Sequence, residues 1–428
     1  MSKSPASKPD VTTTSMLIVL VVLITVSTSA SYYAVNYAPG AGVHSTTATT
    51  TGGGTTTTTT TTTGGPTTTS SASSAGTTSS GSSASSGAFA NVTLGNDPAV
   101  AVYDNVTGDV YVVNSNVFGE ATVSVVSGTA VVGNVSIGRG TYPQSSMVFD
   151  PTNGDVYVAS QFTSSVAVIS GTALVGNVTL AQAPYTLAVD PQDGYVYSAN
   201  YGDNGAGSTV SVISGTRLVA DVTVGPGPDA LTYNPSNGLV YVGNYGAGYL
   251  SLISGTRLVG NVSVPDGTYT EAYDPTNNYV YITNALAGSE GNVTVVSEES
   301  VVATMQVGIF PSGLLYDPAD QYVYVISDGE PGPQGVSTAV VLSGTSVVGN
   351  ITLGNYATAL AYDSQNQDVY VAMFGPDQVV IISGTGIVGS VDAGVSPNGI
   401  VYDASNRSIY VVDAGFAAPG GVTIIPSG

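Results

Sequence analysis

The sequence predicts an all-β protein whose folded part is a single closed β-propeller of about eight four-stranded blades, with seven as the alternative count. Three observations predict it. An aromatic or apolar residue followed by Asp or Asn recurs at Tyr103-Asp104, Phe149-Asp150, Val189-Asp190, Tyr233-Asn234, Tyr273-Asp274, Tyr316-Asp317, Tyr362-Asp363 and Tyr402-Asp403. That spacing of 40 to 46 residues is the period of a propeller blade. Between these signposts lie alternating strands rather than helical patterns, and a Ser-Gly-Thr turn returns at Ser127, Ser170, Ser214, Ser254, Ser343 and Ser383. Finally, the array opens with a lone last-type strand, Asn91 to Leu94, and stops after a third-type strand, Gly421 to Ile425. Joining the two completes one blade and leaves no open edge in the ring.

Taken from the amino terminus, residues 1–15 form a short cytoplasmic segment carrying Lys3 and Lys8. An apolar run follows, with its strict core at Met16 to Val26, so residues 16–35 read as a signal anchor or transmembrane helix. The eleven-residue core also suits a signal peptide, cleaved after Ala30. Residues 36–88 form a low-complexity stalk, almost wholly Thr, Ser, Gly and Ala from residue 45 on. Nothing there can bury an apolar face, so the stalk is expected to be disordered. The reach of residues 45–88 is about 35–40 Å as a flexible chain, and roughly 150 Å if glycosylation stiffens them to full extension.

The propeller occupies residues 89–428. Within each repeat, a segment such as Asp150-Pro151-Thr152-Asn153-Gly154 reverses the chain, because Pro presets one turn angle and Asn or Gly accepts the left-handed one. The flanking strands, Asp155 to Ala159 or Thr209 to Ile213, are rich in the β-branched and tyrosine residues that suit a pleated surface. The fifth repeat departs, with Ser297-Glu298-Glu299-Ser300 where the others have Ser-Gly-Thr.

Composition narrows the chemistry. There is no cysteine, which excludes disulfides and thiolate metal sites, and charged residues make up only 8 % of the chain. The chain holds 28 acidic and 6 basic residues, and all but Asp10, Lys3 and Lys8 lie in the head, giving 27 against 4 there. Such a field repels nucleic acid. It suits an exported acidic protein, a halophile or one living in acid; carboxylates this sparse disfavour the halophile, and protonation in acid would leave little self-repulsion.

Tyr281-Ile282-Thr283-Asn284, Tyr111-Val112-Val113-Asn114, Tyr197-Ser198-Ala199-Asn200 and Tyr241-Val242-Gly243-Asn244 resemble the YVTN-type propeller repeat, a likeness covering about four fifths of the chain. The resemblance implies the fold and kinship with archaeal surface-layer-like proteins. Family members include redox and lyase enzymes, and seven blades are usual among them, so eight is a departure. Tether and stalk together resemble exported archaeal binding proteins on hydroxyl-rich linkers.

The sole histidine, His44, lies in the stalk, so no Ser-His or Cys-His pair can form in the head. That absence removes the histidine-dependent redox and lyase readings of the family. A chain without tryptophan also lacks the packing motifs of quinone-binding propellers.

What remains is carboxylate chemistry. The loops between blades and between second and third strands are expected to share one face, holding Asp97, Glu120, Asp203, Asp229, Asp266, Glu271, Glu290, Asp328, Glu330 and Asp377. No cofactor is expected; calcium is the ion such hard oxygens would suit, though no EF-hand spacing occurs and the bland reading is a solvated rim. The longer insertions, Tyr201 to Ser208 and Asp328 to Val336, are expected partner contacts, while Arg139 beside Tyr142 reads as a sugar or carboxylate contact or a plain surface pair.

Asn-x-Ser/Thr sequons stand at Asn91, Asn105, Asn134, Asn177, Asn261, Asn292, Asn350 and Asn406. Five of them (Asn91, Asn134, Asn177, Asn261, Asn350) fall at one place in the last strand, which suggests either a glycosylated rim or a repeated local need for Asn.

These readings converge on a non-enzymatic cell-surface protein, a monomeric head that binds envelope glycoproteins or polysaccharides and meets the membrane through its N-terminal helix. An extracellular hydrolase or lactonase using acidic residues with a divalent cation, and a structural envelope-lattice subunit, are the alternatives.

Overall fold

The computed structural model describes residues 90–116, 119–139, 146–285, 290–329, 335–415 and 419–427. The expected anchor at 16–35 and stalk at 36–88 therefore lie outside the described residues. Among the described residues no helix is long and apolar enough to cross a membrane.

Among the described residues, thirty-two strands form eight antiparallel four-stranded sheets. In chain order the blades comprise residues 98–139, 147–179, 186–223, 228–263, 268–309, 311–354, 357–392 and 397–426. The eighth borrows its outermost strand from the other end of the chain: Ala90–Thr93 pairs with Gly421–Pro426, from Ala90 opposite Ile424 to Thr93 opposite Gly421. Leu94 N–H adds a bond to Gly420 O at 2.9 Å. The first strands of successive blades touch in an unbroken circuit, the last touching the first, so the ring is closed and the count is eight.

The signpost Asp and Asn residues are turn residues. Each is buried, and its Oδ1 accepts the backbone N–H two residues on, as in Asp104 to Val106 (2.8 Å), Asp150 to Thr152 (2.9 Å), Asn234 to Ser236 (2.9 Å) and Asp403 to Ser405 (2.8 Å). This side-chain turn satisfies a donor that the reversal would otherwise orphan. The preceding tyrosine reaches back one blade, so that the hydroxyls of Tyr233, Tyr316, Tyr362 and Tyr402 stand close to Asp190, Asp274, Asp317 and Asp363. Tyr103 reaches Asp403 and so repeats the link across the chain ends.

A second tyrosine clamps blades 3, 5, 6 and 8 to the blades that follow them in the ring. Tyr197, Tyr281, Tyr324 and Tyr410, all buried at the centre of second strands, donate to the carbonyls of Gly255, Gly344, Gly384 and Gly128 in the Ser-Gly-Thr turn of the following blade, at 2.7–3.0 Å. The turn's threonine packs in the same gap, for a methyl added at Gly133, Gly176 or Gly349 would strike Thr172, Thr216 or Thr385 at 2.4–3.0 Å. Recurrent Tyr, Ser-Gly-Thr and Val-Gly-Asn are thus parts of one blade-to-blade contact. The apolar core follows suit, forming clusters that each draw on two adjacent blades, such as Tyr324, Ile326 and Val341 with Val369, Val371 and Ile382.

Candidate functional site at the channel mouth

The face expected to carry function holds the loops between blades and those between second and third strands. At its centre, five residues before each signpost, lie Ala99, Tyr185, Asp229, Tyr269, Ser312, Thr358 and Asn398 in seven of the blades. In six blades, all but that of Tyr185, this residue sits at a register shift near the start of the first strand. A bulge leaves such a residue unpaired and re-aims its side chain, here around the inner circuit.

Aromatic rings crowd the mouth over blades 3 to 6. Tyr185 and Tyr201 lie with centroids 5.5 Å apart, Tyr269 and Phe310 with centroids 5.4 Å apart, and Tyr185 hydrogen-bonds Tyr269. Tyr245 stands close enough to act on both Tyr201 and Tyr269. All five rings are half-buried, leaving part of each accessible. Burial and nearby Asp229 hold the Tyr185 and Tyr201 hydroxyls protonated, the latter pushed up to about 12.

Two of the aromatics occupy a backbone conformation that suits glycine. The residue just before the first strand has positive φ in six blades, and blades 4 and 5 use Gly227 and Gly267 there. Blades 6 and 7 place Phe310 (φ 52°) and Tyr356 (φ 59°) at the same point. A left-handed backbone costs a bulky residue on the order of 1–2 kcal/mol. The rings are presented at a cost in stability that glycine would avoid.

Beneath the mouth lie two buried acids. Asp229, 4 % exposed, accepts Thr268 Oγ1 at 3.2 Å, and burial raises its carboxyl well above the usual range. Glu271 is raised likewise, by burial first and by Asp229 second. Both its oxygens are shut off from solvent and neither makes a hydrogen bond of normal geometry. Glu271 stands where the other blades have Ala101, Met147, Leu187, Leu231, Leu314, Leu360 and Ile400. It fits because Gly243 of the neighbouring blade replaces the Val, Ala, Thr or Ile found elsewhere; a methyl at Gly243 would lie 3.1 Å from Glu271 Oε1.

The sequence reading misplaced four acids as loop residues. Asp229 and Glu271 lie on first strands, Pro228–Asn234 and Thr268–Asp274, and Glu120 and Glu290 open third strands, Glu120–Ser127 and Glu290–Ser297. The cause is that strands begin earlier than the alternation suggests, through the bulges.

Asp97, Asp203, Asp266, Asp328 and Asp377 do occupy the expected face, whereas Glu330 lies outside the described residues. Asp328 is buried at the mouth and accepts Ser312 Oγ at 3.0 Å, and Asp377 accepts Ser396 N–H at 2.8 Å. Among the described residues no three His, Cys, Asp or Glu side chains gather closely enough to hold a metal ion.

The insertion from Tyr201 to Ser208 folds over the mouth, with Gly202 N–H bonded to Ala183 O (3.0 Å) and Gly227 N–H to Gly207 O (2.8 Å). Of the insertion from Asp328, residues 330–334 lie outside the described residues, as does Tyr142, and Arg139 ends the outermost strand of blade 1.

The five repeated sequons do occupy outermost strands, and Asn91, Asn134, Asn177, Asn261 and Asn350 are all exposed. Asn105 is exposed in a turn, Asn292 is half-buried on a third strand, and Asn406 commits its Nδ2 to Tyr410 Oη at 2.7 Å.

No protein-family model and no curated protein matches the chain. Solved structures share its fold. Dihydro-heme d1 dehydrogenase NirN is similar at 12% identity and TM-score 0.58, over 78% of this chain and 78% of that one. The Dos1 propeller is similar at 9% identity and TM-score 0.60, over 79% and 94%. Kuenenia stuttgartiensis hydrazine synthase gives 17% identity and TM-score 0.52, over 66% and 95%. These likenesses establish the propeller and nothing about activity.

Proposed function

We propose that this chain is a non-enzymatic cell-surface binding protein of YVTN-repeat, archaeal surface-layer type, whose propeller docks glycans of envelope glycoproteins or polysaccharides at its aromatic channel mouth. An anchor over 16–35 and a stalk over 36–88 hold the head off the envelope. The observation that carries this reading is the placing of Phe310 and Tyr356 at left-handed positions on this face, with Phe310 packed against Tyr269 in the cluster of Tyr185, Tyr201 and Tyr245. Half-open aromatic faces with hydroxyls at their edges suit the apolar face and polar rim of a sugar ring. Glycans on outermost-strand asparagines leave that mouth unobstructed.

The test is a glycan and envelope-fraction binding screen comparing the native chain with Phe310→Gly. The substitution relieves backbone strain, so binding is expected to fall at least tenfold while the melting temperature holds or rises. Unchanged affinity for every bound glycan sinks the mouth as the docking site.

A hydrolase reading draws on the raised carboxyls of Asp229 and Glu271. It requires turnover of a glycan or lactone that Asp229→Asn abolishes.

A further inference from the structure

The residue that closes the second strand is acidic in blade 8 alone. Asp413 stands where blades 1, 3, 4 and 5 have Asn114, Asn200, Asn244 and Asn284. In two of those blades the asparagine starts a chain of hydrogen bonds across the sheet. Asn114 Nδ2 donates to Ser124 Oγ (2.8 Å), which donates to Asn134 Oδ1 on the outermost strand (2.7 Å). Asn200 Nδ2 donates to Ser211 Oγ (2.8 Å), which donates to Asp221 Oδ1 (2.6 Å). Each hydroxyl accepts once and donates once, so the chain runs outward from the second strand.

Blade 8 has the same three stations, but its outermost strand is the N-terminal one that closes the ring. Thr423 Oγ1 lies 2.7 Å from Asp413 Oδ2 and 3.0 Å from Asn91 Oδ1. A hydroxyl has one proton to give, and an ionised carboxylate can only accept. In blade 5 the direction is reversed, with Thr294 Oγ1 donating to Asn284 Oδ1 at 2.7 Å. Asp413 can take the part of Asn114 and Asn200, which leaves the hydroxyl's proton for the outermost strand, only by carrying a proton itself. Then it donates to Thr423, and the threonine's own proton is left for Asn91.

We propose that Asp413 is an acid-operated latch on ring closure: protonated, it ties Ala90–Thr93 into blade 8 through Thr423 and Asn91, and on ionising it releases that tie.

The surroundings favour the protonated form. Burial pushes Asp413 up to about 7 against the opposing pull of the Thr423 hydroxyl and the backbone amides of Thr423 and Gly394. The charged group acting on it is Asp377, from the neighbouring blade 7 loop, which raises it further. Thr423 on the third strand and Asn91 on the closing strand are neutral. Because the closed state holds the proton more tightly than the open chain, closure is firmest below the ordinary value of 3.8. It weakens as pH rises toward about 7 and is weakest above that. The tie that ionisation removes is one hydrogen bond, worth about tenfold in the closing equilibrium.

The experiment is hydrogen exchange of the full chain between pH 4 and pH 8, read by mass spectrometry on the peptide covering residues 90–94 and corrected for intrinsic rates. The opening constant of native protein is expected to rise by about tenfold across that range. Asp413→Asn, which restores the residue of the other blades, is expected to keep its acid value at pH 8, and Thr423→Val to open readily throughout. A flat native profile, or the same slope in Asp413→Asn, overturns the latch. An Asn91 amide turned to donate its N–H to Thr423 would satisfy ionised Asp413 and would produce that flat profile.

Discussion

At the scale of single residues, the repeat spells out what each position must do. Glu298 illustrates this through its mismatch, since it holds φ 54° where the turns of the other complete blades have glycines at 55–58°. Its carbonyl still accepts Tyr241 Oη at 2.7 Å, so the clamp survives while the backbone carries strain. Glu298→Gly is therefore expected to stabilise the protein by about 1 kcal/mol, visible as a higher midpoint in urea unfolding with an unchanged slope. The departure of the fifth repeat from Ser-Gly-Thr was readable from sequence. That its glutamate keeps the left-handed geometry was not, because only the distant tyrosine reveals why the turn must stay as it is.

At the scale of strands and the gaps between them, Glu271 and Gly243 form a pair of complementary departures on neighbouring blades. Gly243→Ala is expected to destabilise by about 1–3 kcal/mol, since the methyl would crowd a buried carboxyl that has nowhere to move. Combining it with Glu271→Leu should recover most of that loss, and a double-mutant cycle would measure the coupling. Glu271→Leu alone is expected to stabilise more as pH rises. The native carboxyl is raised, so its burial cost is absent in acid and grows once the unfolded chain can ionise. Equal stabilisation at pH 4 and pH 8 would contradict this. Sequence periodicity located the strands, the turns and the outermost sequons. It named Asp229 and Glu271 but placed them in loops, because bulges shift the strand starts, and it missed the pairing with Gly243 because blade-to-blade contact joins residues about thirty positions apart.

At the scale of the whole molecule, ring closure between the chain ends was legible because the two ends are incomplete in matching ways. The aromatic mouth was legible only in part. The insertion beginning at Tyr201 was singled out, but Tyr185, Tyr269 and Phe310 look like ordinary strand or linker residues until the circuit gathers them. Closure also makes a strong prediction about stability. The strand Ala90–Thr93 and Leu94 beyond it bury Val92 (7 % exposed) and Leu94 (9 % exposed) against Val412, Val422 and Ile424. A chain beginning at residue 95 is expected to lose about 3–6 kcal/mol at roughly 1.5–3 per buried side chain. A synthetic peptide of residues 90–94 should restore much of its melting temperature. No loss on truncation would mean that the closing strand contributes little.

The same four-residue pairing is where the folded body meets the rest of the chain that precedes it. Any tension transmitted along that preceding segment enters at Ala90 and must pass through the short ladder to Gly421–Pro426 before it reaches another blade. Under pull, the molecule should therefore yield at this seam first, like a fuse, while the seven sheets formed within the chain remain folded and ready to take the strand back when the force drops.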